Sequence, residues 1–123
     1  MVDLPPHQKI SCAGLKERLQ KEDLYVIDVR NPPEIEQSGF ISSRRRVNIP
    51  FPEFESALNL EQNDFQAKYG IPKPTGDGSD LVIHCMIGGR GSKAIVLAEK
   101  SGLHKAQNLD GGYKKWAADG FAK

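Results

Sequence analysis

The chain has 123 residues, with 17 Lys and Arg against 16 Asp and Glu. That suffices for one domain with a real core, and it leaves no charge excess that would track nucleic acid or form an acidic tail. Two cysteines, Cys12 and Cys85, lie far apart without Cys-x-x-Cys spacing, which argues against a disulfide framework or a zinc site and for a reducing, intracellular setting. No apolar run approaches the length of a membrane span. The opening MVDLPPHQKIS has neither the apolar centre of a signal peptide nor the arginine-rich pattern of a transit peptide. Cytoplasm is the expected location, or the mitochondrion if a presequence has been removed, with neither membrane nor nucleic acid as a partner.

In chain order, Ser11 is placed to cap a first helix in which Leu15 and Leu19 share a face. The β-branched run LYVIDV follows as a buried strand. It ends in Asp28-Val-Arg30-Asn-Pro-Pro, where the tandem prolines stop the strand and open a short helix through Glu34 and Ile35. VNIPF from Val47 reads as a second strand, followed by helical turns through Phe54, Leu58, Phe65 and Tyr69. The prolines and glycines of GIPKPTGDGSD make a loop. LVIH is a third strand, KAIVLAEKSG a helix stopped by Gly102, AQNL a fourth strand, and YKKWAADG a helix stopped by Gly120. This alternation predicts an α/β fold, with a mainly parallel central sheet flanked by helices, in one domain over residues 1–123.

In an open parallel sheet, ligands bind beyond the carboxyl ends of the strands, and the turn after LVIH contains Cys85. Gly88, Gly89 and Gly91 let successive amide N–H groups turn inward around one sulfur or one anion. A helix beginning near Ser92 adds its positive end, and Arg90 adds a fixed cation. All three favour the Cys85 thiolate over the thiol.

Each feature also has a structural explanation. A cysteine at a strand end can be a small buried hydrophobe, glycines after a strand a tight turn, and an arginine the partner of a surface carboxylate. Their occurrence together is what favours chemistry. His84 precedes the thiol, but adjacent strand residues point to opposite faces, so a structural place is expected for it. Cys12, near the start of an amphipathic helix, is expected to pack.

CMIGGR resembles the Cys-x-x-Gly-x-Arg active loop of single-domain rhodanese-like sulfurtransferases of the thiosulfate sulfurtransferase type. YVIDVRNPPEIEQSGFI is similar to that family's strand with Asp-Val-Arg, an acidic residue four positions on and a glycine before an apolar residue. VNIP and AQNLDGGYKKWAADGF resemble its next strand and its closing segment. The resemblance implies a rhodanese-like domain in which Cys85 is the nucleophile that carries sulfane sulfur as a persulfide. Arg90 and the amides of Met86, Ile87, Gly88, Gly89 and Gly91 would hold the anionic donor and the sulfur. Asp28 and Arg30 would support the site from the sheet end, while Gly111, Gly112 and Trp116 would be structural. Two departures stand out. GFISSRRRVNIP has Phe40 where the family commonly has histidine, and it carries Arg44, Arg45 and Arg46 in a row. Met86 and Ile87 also make the first half of the loop apolar.

The expected chemistry is attack of the Cys85 thiolate on the outer sulfur of thiosulfate or of a related persulfide donor. Sulfite leaves, and an acceptor such as cyanide, a thiol or a small redox protein then takes the sulfur. No metal and no organic cofactor is required, because the enzyme itself carries the sulfur atom. With no evident apolar surface stripe, the chain is expected to be a monomer. Two rival readings remain: a rhodanese-like module that only binds other proteins, and a cysteine-dependent phosphatase or arsenate reductase. The latter place five residues between cysteine and arginine, whereas CMIGGR places four.

Overall fold

The computed structural model describes residues 3–121. A single 3-10 turn at Pro6–Gln8 leads into β1 (Lys9–Ile10), α1 (Cys12–Lys21), β2 (Tyr25–Asp28), α2 (Pro32–Ser38), β3 (Arg45–Asn48), α3 (Phe51–Leu58), α4 (Gln62–Tyr69), β4 (Leu81–His84), α5 (Gly89–Lys100), β5 (Gln107–Leu109) and α6 (Gly112–Ala118). The strands form one sheet in the order β1-β5-β4-β2-β3, and every pairing is parallel. The α/β class with a parallel sheet is therefore as the sequence indicates, but the described residues form five strands rather than four. β1 is two residues long, too short to show a period, and it exists through its ladder to β5, Lys9 opposite Asn108 and Ile10 opposite Leu109.

The local signals explain most boundaries. Ser11 Oγ accepts from Gly14 N at 3.0 Å and caps α1. Asn31 and Glu34 form a reciprocal capping box ahead of α2, whose first turn holds the two prolines. β3 begins at Arg45, two residues before Val47, because its edge pairing with β2 recruits Arg45 and Arg46 into the ladder.

All of β2 and β4 is buried, and alternate residues supply two apolar layers. Tyr25, Ile27, Leu81 and Ile83 face α3, α4 and α5, where they meet Phe54, Phe65, Ala94 and Ile95. Val26 and Val82 face α1 and α6, where they meet Leu15, Tyr113 and Trp116. Each fully buried Ile, Leu or Phe side chain contributes roughly 1.5–3 kcal/mol, so the two layers hold the central strands rigidly. Asp28 pairs with His84 across the ladder. β2 and β4 therefore end at one level, and α2 and the loop before α5 emerge side by side.

Candidate active site

Cys85 follows β4 directly and is 1% exposed. Its side chain joins the α3, α4 and α5 layer, while His84 turns to the opposite face, as strand geometry requires. The loop after it is pinned from behind by α6. Tyr113 N donates to the Cys85 carbonyl and Lys114 N to the Met86 carbonyl, both at 2.9 Å. A trans peptide sets its N–H opposite its carbonyl, so the Met86 and Ile87 amides point away from α6. Gly112 makes this approach possible: its φ is +64°, and a Cβ on it would stand 2.5 Å from Met86 O.

Gly88 donates its N–H to Cys85 Sγ at 2.9 Å. Its φ of +122° turns the chain into α5, and its carbonyl accepts from Ser92 N at 2.9 Å. That bond closes the first helical turn, so α5 begins at Gly89 and not near Ser92 as the sequence suggested. Gly89, Arg90 and Gly91 are thus first-turn residues, whose amides have no intrahelical acceptor. The amides of Met86, Ile87, Gly89, Arg90 and Gly91 donate to no other described residue. The loop therefore presents free N–H groups on either side of the Gly88 N–H that meets the sulfur, together with the positive end of a twelve-residue helix. The Met86 side chain packs against the α1 and α6 layer, whereas Ile87 is 68% exposed on the rim.

Arg90 stands in the first turn of α5. It is not an unpaired cation: Nη1 lies 2.6 Å from Glu34 Oε1 and Nη2 2.8 Å from Oε2, a two-pronged pair. Glu34 Oε1 also accepts from Asn31 N at 3.1 Å, so one carboxylate caps α2 and fixes Arg90. The Arg90 hydrogen bonds hold the Glu34 carboxyl far below its ordinary range, at about 2. The pair forms because β2 and β4 are neighbours, which brings the start of α2 beside the start of α5.

Asp28 and Arg30 lie behind the loop, 1% and 0% exposed. Arg30 Nε and Nη2 reach the Asp28 carboxylate at 3.0 and 2.7 Å, and two further guanidinium N–H groups go to Ser38 Oγ and the Gly39 carbonyl. The guanidinium stacks 4.4 Å from the centre of the Tyr113 ring, and the Tyr113 hydroxyl donates to Ser38 O at 2.7 Å. His84 Nε2 is 3.7 Å from Asp28 Oδ2. Burial pushes the His84 pKa down against the opposing pull of Asp28, so the imidazole is neutral at pH 7. The hydrogen bonds of this cluster end on one another and on the backbone, not on Sγ.

Sequence reasoning missed three residues that shape the loop: Glu34 as the partner of Arg90, Tyr113 as the donor to the Cys85 carbonyl, and Asn108. Asn108 Nδ2 donates to Gly88 O at 3.3 Å and to Ser92 Oγ at 3.1 Å, which fastens the first turn of α5 to the end of β5. The arginine run divides three ways. Arg44 is exposed, Arg45 pairs with Asp80 at 2.7 Å, and Arg46 lies 3.7 Å from the centre of the Phe40 ring. Among the described residues no group of His, Cys, Asp and Glu is arranged to hold a metal ion, and no helix is long and apolar enough to cross a membrane.

Comparison with known proteins gives the family. The Rhodanese-like domain family model matches residues 11–119. Over 107 residues the chain is 39% identical to the thiosulfate sulfurtransferase/rhodanese-like domain-containing protein 3 of Mus musculus, covering 87% of this chain and 66% of that protein. It is 36% identical over 107 residues to the thiosulfate:glutathione sulfurtransferase of Homo sapiens, covering 87% of this chain and 90% of that one. The structure of the human single-domain sulfurtransferase TSTD1 superposes with a TM-score of 0.80 at 33% identity, over 90% of this chain and 96% of that one. With a family model spanning nearly the whole sequence and relatives this similar, the chain belongs to the rhodanese-like sulfurtransferases.

Proposed function

We propose that the chain moves sulfane sulfur from thiosulfate through a persulfide on Cys85 to a thiol such as glutathione. The observation that carries this reading is the Gly88 N–H aimed at Cys85 Sγ at 2.9 Å, within a run of unpartnered amides at the start of α5. Such a cradle stabilises one negatively charged sulfur without a metal. In the first step the thiolate attacks the outer sulfur of thiosulfate. The new S–S bond forms as the old one breaks, and sulfite leaves with the electron pair. In the second step an acceptor thiolate attacks the outer persulfide sulfur and restores the Cys85 thiolate. The small ring suits a single sulfur atom better than a tetrahedral phosphoryl group. Both cysteines are free thiols, which fits work in a reducing compartment, cytoplasm or mitochondrion.

Intact-protein mass spectrometry after incubation with thiosulfate tests the reading. Wild-type protein gains about 32 Da, reversed by reductant, as the covalent intermediate requires. Cys85→Ser stays folded and gains nothing. Loading of the Cys85→Ser variant, or no loading of folded, reduced wild-type protein, overturns the assignment.

A further inference from the structure

The two arginines closest to the Cys85 loop, Arg30 and Arg90, are each matched by a carboxylate. Arg30 is held by Asp28, 2.7 Å between Nη2 and Oδ2, and Arg90 by Glu34, 2.6 Å between Nη1 and Oε1. His84 is buried and neutral. An incoming anion therefore meets backbone amides and a helix end, with both arginines already neutralised by their carboxylates. Arg90 and Glu34 are 32% and 28% exposed, so both reach solvent near the start of α5.

We propose that Glu34 is a specificity-determining residue that disfavours dianionic sulfur donors relative to donors of lower charge. The inference rests on the reading of Cys85 as the sulfur carrier. A carboxylate bound in two-pronged fashion to Arg90 cancels most of the attraction that a lone guanidinium would exert, and it repels a second negative charge more than a first. The penalty therefore grows with the charge of the donor. Thiosulfate carries two negative charges and an alkanethiosulfonate one, although both present the same outer sulfur. With the latter the Cys85 thiolate takes the outer sulfur and a sulfinate leaves, in the balance already written for sulfite.

The test compares thiosulfate with methanethiosulfonate in wild-type protein and in Glu34→Gln, following persulfide formation on Cys85 and steady-state turnover. Glutamine keeps the size of the side chain and an acceptor for the Asn31 amide, as a capping box tolerates, and so removes charge rather than structure. The expected result is a KM for thiosulfate lowered by about threefold to tenfold with kcat little changed, and a clearly smaller gain for methanethiosulfonate. The thiosulfate reaction of the variant also becomes more sensitive to added salt than that of the wild type, since an uncompensated guanidinium is screened. A lower kcat/KM for both donors in Glu34→Gln would show instead that Glu34 serves only to hold Arg90 in place, and would overturn the proposal. Equal kinetics in both proteins would do the same while leaving the sulfurtransferase reading intact. If neither donor loads wild-type Cys85, that reading falls and the proposal falls with it.

Discussion

A Cβ placed on Gly91 would stand 2.1 Å from Asn108 Oδ1, so the first turn of α5 and the end of β5 meet at a distance that only glycine permits. Asn108 is 4% exposed and cannot simply swing aside, because its Nδ2 holds Gly88 O and Ser92 Oγ. Gly91→Ala must push it off the Gly88 carbonyl, and the Gly88 amide that faces Cys85 Sγ moves with it. We expect a loss of about 1–3 kcal/mol in urea unfolding, the usual cost of overpacking, and slower persulfide formation on Cys85. Asn108→Ala opens space for the new methyl, so the double variant is more stable than the sum of the two single losses predicts. Additive losses would show that the contact is not the constraint.

His84 gives the fold a pH dependence of definite sign. Burial, with help from Arg30 and Arg46 and against Asp28, holds its pKa below the ordinary 6.5. Near and just below pH 6.5 the unfolded chain takes up a proton that the folded chain refuses, so stability is full above that pH and declines as pH falls beneath it. Unfolding measured from about pH 7.5 to about pH 5.5 has a shallower slope in His84→Gln than in wild type. The difference is bounded by about 1.4 kcal/mol per pH unit for one proton. Parallel slopes in the two proteins would mean that His84 binds its proton equally well in the folded and unfolded chains.

The cysteine loop was legible because its signals are local. A four-residue apolar strand, a thiol, three glycines and an arginine fall within eleven consecutive residues, and each acts through its own backbone or charge. The partner of Arg90 was not legible. Glu34 lies 56 residues away and meets it only because β2 and β4 are neighbours, a fact of sheet order that no local pattern encodes. β1 escaped for a related reason, since two residues have no period and owe their conformation to β5. The arginine run shows the same limit from the other side: three identical residues on one edge receive three different environments. Strand alternation and the positions of Asp80 and Phe40 decide which is which.

Gly112 offers the sharpest separation of backbone geometry from side-chain chemistry. Its φ is +64°, and a Cβ there meets Met86 O at 2.5 Å, Met86 C at 2.6 Å and Cys85 O at 2.8 Å, all backbone atoms. They cannot retreat, because those two carbonyls accept the Tyr113 and Lys114 amides at 2.9 Å. Gly112→Ala thus incurs both a left-handed backbone and a steric clash, roughly 2–5 kcal/mol together. Gly120 shares a positive φ of 81° but has nothing within 4 Å of a Cβ, so Gly120→Ala bears the first cost alone, about 1–2 kcal/mol. Urea unfolding of the two variants, with persulfide loading of whatever remains folded, reads the difference. Gly112→Ala should be the less stable and should load Cys85 more slowly even where it is folded, because the carbonyls that aim the Met86 and Ile87 amides have lost their anchor. Equal stability of the two variants would mean that α6 does not grip the cysteine loop as tightly as these distances require.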